Sequence, residues 1–228
     1  MKINYLDWDS NFFSLNVGEI FLQNSEESFQ TEDFDVIYVK QNENTELPIK
    51  GFQKTFQETK VIFQKLFDLE NTQQESFKII DFDEFPVENS KLYELAYISG
   101  NHSRFLLDEK FGKEKFKKLY RMWIDNSINK KFAKKIFYIE QENNILGFVT
   151  LQVNDNSASI GLIAVDTSTQ GKGLGKQLIA ECETYCKKNN ISELKIPTQK
   201  ENIQACNFYK KNGYHMLEKI TIKHYWKN

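Results

Sequence analysis

The sequence predicts a mixed α/β fold, an α+β mixed sheet with helices packed on it, preceded by a small, mostly β N-terminal domain. Three observations carry the prediction. Residues 135–166 read as three consecutive strands joined by tight polar turns, and from the last of them the chain runs in the order β-loop-α-β-α-β. Between that strand and the next helix stands "QGKGLGK" (170–176), with three glycines in five positions. Ahead of residue 77 the pattern is short strand-like pieces broken by polar loops.

Taken in order, "EIFLQ" (19–23), "DVIYVK" (35–40) and "TKVIFQKLF" (59–67) read as strands. "SEESFQTEDFD" (25–35) and "QNENTELP" (41–48) read as polar connections. The polar break "NTQQES" (71–76) places a boundary between a small domain over 1–76 and a second domain over 77–228. There "FKIIDF" (77–82) is a short strand, and 87–98 is helical, with Leu92, Leu95 and Ala96 at helical spacing. Residues 112–129 form an amphipathic helix with Phe116, Leu119, Tyr120 and Trp123 along one stripe. "SIGLIAVD" (159–166) is apolar on both alternating faces, so it belongs in the middle of a sheet. A helix over 173–189 buries Leu174, Leu178, Cys182, Tyr185 and Cys186. "ISELKIP" (191–197) is a strand, "NIQACNFYKKNG" (202–213) a helix with a glycine C-cap, and "ITIKHYW" (220–226) a closing strand.

Composition narrows the function classes. Thirty basic residues against 32 acidic ones give a net charge of -2, which argues against bulk attraction to nucleic acid or to an anionic membrane. No stretch is apolar for long enough to span a bilayer, and "MKINYLDWDSNFF" meets polar and acidic residues too early for a secretory signal. Three cysteines (Cys182, Cys186, Cys206) are unsuited to a disulfide framework. No histidine joins them at metal-ligand spacing, so no metal site is expected and they read as core residues of a cytoplasmic protein.

Glycines at the mouth of a helix let main-chain N–H groups approach a phosphate, and the helix start supplies unpaired donors. The Walker A pattern fails, because Gly175-Lys176 is followed by Gln177 and Gln170 stands where the first glycine belongs. The dinucleotide fingerprint fails as well, with Lys176 in place of the third glycine after Gly171 and Gly173. What fits is Gln170-Gly171-Lys172-Gly173-Leu174-Gly175, a [QR]-x-x-G-x-[GA] loop after a strand ending in Val165-Asp166.

With this loop the chain resembles the GNAT superfamily of N-acetyltransferases, which use it for the pyrophosphate of acetyl-CoA (coenzyme A). "ENIQACNFYKKNGY" (201–214) is similar to the family's second cofactor motif, in which an asparagine starts a helix and F-Y-x-x-x-G-[FY] ends it. The resemblance covers residues 77–228 and implies the GNAT fold there. It implies that the pantetheine arm pairs like a strand with "GLIAVD", held by main-chain groups of Ile163, Ala164 and Val165, with "ELKIPT" splayed away. The N–H groups of Gly171, Lys172, Gly173, Gly175 and Lys176 would hold the pyrophosphate. Acyl transfer from a thioester to an amine needs a neutral amine, a donor to the oxyanion and a proton for the leaving thiolate. By resemblance Tyr209 is the candidate acid for the thiolate; the alternative is a core tyrosine beside Phe208. Asn202 is a cofactor contact, a helix N-cap, or both.

Further segments are similar to one branch of the superfamily, the TDP-fucosamine acetyltransferases, which N-acetylate a dTDP-4-amino-4,6-dideoxy sugar for bacterial surface polysaccharides. They are "LDWDSNFFSLNVGEI" (6–20), "TKVIFQ" (59–64), "NHSRFLLDEKF" (101–111) and "MWIDNS" (122–127). A nucleotide sugar carries a diphosphate, so Arg104 in "HSRF" is a candidate contact, with Phe105 or Trp123 lining the sugar or base pocket. The alternative for Arg104 is an ordinary surface arginine. "WDSNFF", with Trp8, Asp9, Phe12 and Phe13, reads as a structural staple for the small domain. Glu58 matches the branch's acidic position and is the candidate general base; His102 is its rival. An aminoglycoside, a polyamine or a protein amine is the alternative acceptor, and a non-catalytic acyl-CoA-binding module the alternative function. The branch resemblance and a closing C-terminal strand favour a homodimer.

Overall fold

Alternation of apolar and polar residues builds one sheet that frames everything else. The computed structural model describes residues 2–22, 30–31, 33–67 and 79–228. Its strands are β1 (Asn4–Tyr5), β2 (Val17–Leu22), β3 (Val36–Gln41), β4 (Phe52–Leu66), β5 (Ile80–Asp81), β6 (Lys135–Gln141), β7 (Asn144–Asn154), β8 (Ser157–Val165), β9 (Glu193–Gln199) and β10 (His215–Lys227). The helices are α1 (Asp7–Phe13), α2 (Ser90–Ser99), α3 (Arg104–Leu107), α4 (Lys113–Ile128), α5 (Leu174–Lys188) and α6 (Ile203–Lys211). The ten strands form a single sheet in the order β1-β2-β3-β10-β4-β9-β8-β7-β6-β5. Among the described residues only β2 with β3 and β8 with β9 run parallel.

The two faces bury different sets. One is covered by α1 to α4 and packs Phe13, Tyr38, Leu92, Phe105, Phe111, Leu119, Phe148 and Trp226. The other carries α5 and α6 over Phe63, Leu151, Leu178, Cys182, Cys186 and Tyr209. All three cysteines are free and buried. Among the described residues no helix is long and apolar enough to cross a membrane.

Three sequence expectations need correction. β10 does not close the sheet; it lies between β3 and β4, so it offers no free edge to a second copy. It also begins at His215 instead of Ile220, because the exposed "HMLEK" is recruited by backbone pairing with β4 and not by apolar alternation. β4 begins at Phe52 and not at Thr59 for the same reason: its first half is a partner of β10. "WDSNFF" is structural, as expected, with Phe13 buried in the core; it lies in a helix, α1, with no side-chain cap at its start and with Ser14 in the left-handed conformation at its end. It is too short to show a helical stripe.

The boundary expected at 71–76 lies outside the described residues. The sheet is continuous between the two segments, since β4 of the first is inserted between β10 and β9 of the second.

Candidate functional site

β8 and β9 pair only from Ser157–Glu193 to Ser159–Lys195 and then diverge. Pro197 explains part of this. It stays in register with β4 opposite Ile62, so the N–H its ring removes belongs to the edge facing β8. On the other side of the gap β8 carries a bulge, in which Leu151 opposes Ile160 but Val149 opposes Ile163. The Thr150 hydroxyl closes the bulge by accepting from Leu162 N–H at 2.8 Å. Gly161 is required there, because a Cβ would come within 2.9 Å of that Thr150 oxygen.

Beyond the bulge, Asp166 N–H donates to Leu146 of β7 at 2.8 Å. By alternation Ala164 also faces β7, which leaves the N–H groups of Ile163 and Val165 directed into the gap. A cavity of about 910 Å³ opens through the sheet at this point.

At one end of the cavity is the glycine loop. Gly171 and Gly173 have φ of 80° and 82°, a left-handed geometry that an L side chain resists. Gly173 is the N-cap of α5 and caps it with no side chain, and no acidic residue stands in the first turn. The first N–H groups of α5 and its positive dipole end are therefore available to an anion. Gln170, Gly171, Gly173, Leu174, Gly175 and Lys176 line the cavity, as do Ile163, Ala164 and Val165; Lys172 does not.

The next wall is α6. Asn202 caps it, its side chain accepting from Ala205 N–H at 3.1 Å, and it lines the cavity as well. Tyr209 is 4% exposed, packs on Phe63, Phe208 and Tyr214, and lines the cavity. Burial raises its phenol above the ordinary tyrosine range, so it stays protonated at neutral pH.

The far end lies on the face of α2 to α4. Lys40, Ile222 and Glu58 are directly opposite one another across β3, β10 and β4, which puts their side chains on one face. Glu58 is 5% exposed, and its Oε2 is buried without a hydrogen-bond partner. Burial, opposed by the nearby Arg104, raises its carboxyl to about 7. Arg104, Phe105, His102 and Trp123 line the same end. Phe105 is also a core residue, stacked on Phe13 at 5.4 Å, while Trp123 meets Phe105 edge-on at 6.4 Å. The Arg104 guanidinium is no ordinary surface group: it stacks over Tyr38 at 4.3 Å and over Phe105 at 4.6 Å.

The cavity thus gathers every candidate site residue except Lys172. Sequence reasoning missed Lys40, Lys60 and Tyr120, which also line it. Only the period-2 placement of Lys60 two residues after Glu58 could have pointed to one of them.

The match to known proteins agrees with this geometry. The model of the acetyltransferase (GNAT) family matches residues 95–214. Streptothricin acetyltransferase A of Bacillus subtilis is 33% identical over 108 residues, 47% of this chain and 62% of that protein. The spermidine N(1)-acetyltransferase of Thermoplasma acidophilum is 29% identical over 73 residues, 32% of this chain and 45% of that protein. The chain thus spans about half the length of these curated relatives. A solved structure of a GNAT-family protein from Novosphingobium aromaticivorans superposes with a TM-score of 0.58 at 12% identity, covering 85% of this chain and 75% of that one, a likeness of fold. With the family model spanning more than half of its residues, the chain belongs to the acetyltransferase (GNAT) family.

Proposed function

We propose that the chain is an acetyl-CoA-dependent N-acetyltransferase whose acceptor is a dTDP-amino-dideoxy sugar, such as dTDP-4-amino-4,6-dideoxygalactose. The product would serve bacterial surface polysaccharide synthesis. The carrying observation is that Glu58 and Tyr209 line one cavity crossing the sheet where β8 and β9 part. Acetyl-CoA supplies the activated acyl group. The donor set suits it: unpaired N–H groups at the start of α5 for its pyrophosphate, and the edge N–H groups of Ile163 and Val165 for its arm.

The residues then divide the work. Glu58, with a carboxyl near neutrality, takes the proton from the acceptor amine as the N–C bond forms. The edge N–H groups of β8 polarise the thioester carbonyl. Tyr209, held protonated, gives its proton to the departing sulfur. His102 lines the same end, but Glu58 is favoured because its buried oxygen lacks any partner.

Arg104 supports an anionic acceptor. A polycation of the kind named in the streptothricin and spermidine relatives would meet Arg104, Lys40 and Lys60 together at that end. The test is thiol release from acetyl-CoA against dTDP-4-amino-4,6-dideoxygalactose, its glucose epimer, the 3-amino isomers, the UDP analogues, kanamycin and spermidine. Turnover on one dTDP-amino sugar is expected. Turnover on kanamycin or spermidine with silence on every nucleotide sugar would remove the acceptor reading, and coenzyme A binding with no turnover on any amine would indicate a binding module.

A further inference from the structure

Behind Arg104 lies a buried polar chain that the acetyl-transfer reading does not use. Asp108 follows α3 and is 3% exposed; His224 on β10 is fully buried. Nδ1 of His224 is 2.7 Å from Asp108 Oδ2, and that same oxygen accepts from Trp226 Nε1 at 3.0 Å and from the Thr55 hydroxyl at 3.2 Å. The other oxygen accepts from Lys110 N–H at 3.3 Å. Burial pushes the Asp108 carboxyl up, but the hydrogen bonds from His224 and Trp226 outweigh it and hold it ionised, below its ordinary value.

Burial also drives His224 down to about 4, against the pull of Asp108, so the imidazole is neutral. An ionised carboxylate is acceptor-only, so Nδ1 must carry the proton and Nε2 must present a lone pair. Facing that lone pair at 3.5 Å is Nη1 of Arg104. Among the described residues Arg104 forms no salt bridge, nor does its cavity neighbour Lys60. A guanidinium has five donors; here one is tethered to a neutral acceptor and the plane is clamped on two rings. That leaves a fixed fork with no carboxylate in salt-bridge contact, although Asp9 and Glu58 lie near enough to feel its charge.

We infer that Asp108 and His224 are positioning residues that hold Arg104 toward the cavity as a preformed reader of an anionic group, a phosphate or carboxylate, on the acceptor. His224 suits this role because a neutral acceptor orients the guanidinium without neutralising it, as a carboxylate in its place would. Lys60 adds a second positive charge on the same wall, and burial followed by the charges of Lys40 and Arg104 lowers its ammonium pKa. The inference rests on taking the α3 end of the cavity as the acceptor side.

The test is calorimetric titration of inorganic pyrophosphate into the full chain saturated with coenzyme A, which removes the glycine loop as a competing anion site. Wild type should bind. Arg104→Met and His224→Phe should each weaken pyrophosphate about tenfold or more while leaving coenzyme A affinity unchanged. His224→Phe should cost nothing further in an Arg104→Met background. His224→Gln, whose amide oxygen can accept from Arg104, should recover part of the loss.

Nitrogen NMR of the wild-type imidazole supplies a reading that needs no variant of this pair to fold. His224 should be neutral with Nδ1 protonated, and its Nε2 resonance should move when pyrophosphate binds. No pyrophosphate binding to the wild type, a His224→Phe affinity equal to wild type, additive losses, or a still Nε2 resonance would each overturn the inference. Failure to bind coenzyme A would instead count against the acetyl-CoA reading.

Discussion

Ser159 and Lys195 are the last paired residues of β8 and β9, and the contacts proposed for the acyl donor lie beyond them. From there β8 keeps its bonds to β7 on one edge and presents Ile163 and Val165 on the other. Proline substitution separates these edges. Val165→Pro deletes an N–H that faces the gap, so acetyl-CoA KM should rise about tenfold with a small change in melting temperature. Ala164→Pro deletes a donor that faces β7 and should destabilise the chain markedly. Thermal melts with steady-state KM values for both variants check the pair; equal melting temperatures would mean that the edges are assigned wrongly.

The glycine loop makes a second prediction, because its two left-handed residues have open space around them. A Cβ at Gly173 would meet nothing within 4 Å, so the cost of Gly173→Ala is backbone strain and not a clash. That strain is about 1–2 kcal/mol, which corresponds to a melting shift of roughly 2–8 °C for a chain of this size. Relief of the strain would tilt the first N–H groups of α5, and coenzyme A binding should weaken severalfold. Calorimetric melting with coenzyme A titration measures both.

The glycine-loop end of the cavity was legible in the sequence because it is local. The positive-φ glycines and the uncapped start of α5 fall within residues 170–176, and the asparagine cap opens a second short segment at 202, so each is a compact pattern that the family resemblance could match. The α3 end is not local. Lys40, Ile222 and Glu58 meet only because β10 enters between β3 and β4, and nothing in "ITIKHYW" announces its partners. His224 and Trp226 reach Asp108 by the same insertion. Glu58 could be picked only through the branch resemblance at "TKVIFQ", and its burial depends on a strand that begins at Phe52 and on helices across the cavity. α1 and α3 were hidden for a different reason: at seven and four residues they carry too few positions to show a period.

Tyr209→Phe tests the proton donor with minimal disturbance. The ring keeps its packing on Phe63 and Tyr214, so stability should hardly move. Losing the hydroxyl should lower kcat by about a hundredfold to ten-thousandfold with acetyl-CoA KM nearly constant. Pre-steady-state acetyl transfer on the best acceptor of the panel gives the number. A variant as fast as wild type would return Tyr209 to a purely structural role.

Glu58 links activity to stability, and the two must move in opposite directions with pH. As a base it works only when ionised, so kcat/KM should rise with pH through about 7, where burial has placed its carboxyl. As a buried acid it favours the protonated form in the folded chain, against an ordinary value of 4.5. Between those two values the folded state holds more protons than the unfolded one, so stability falls as pH rises from about 4.5 to about 7 and levels off above. Glu58→Gln removes the ionisable group. It should flatten the pH–rate inflection near 7, lower kcat/KM by about a hundredfold or more, and gain up to about 3 kcal/mol of stability relative to wild type above pH 7. The gain should vanish near pH 4.5. Denaturant melts at pH 5 and pH 8, run beside pH–rate profiles of both proteins, check the coupling. An inflection that survives in Glu58→Gln would assign the base to His102 or to the acceptor amine itself.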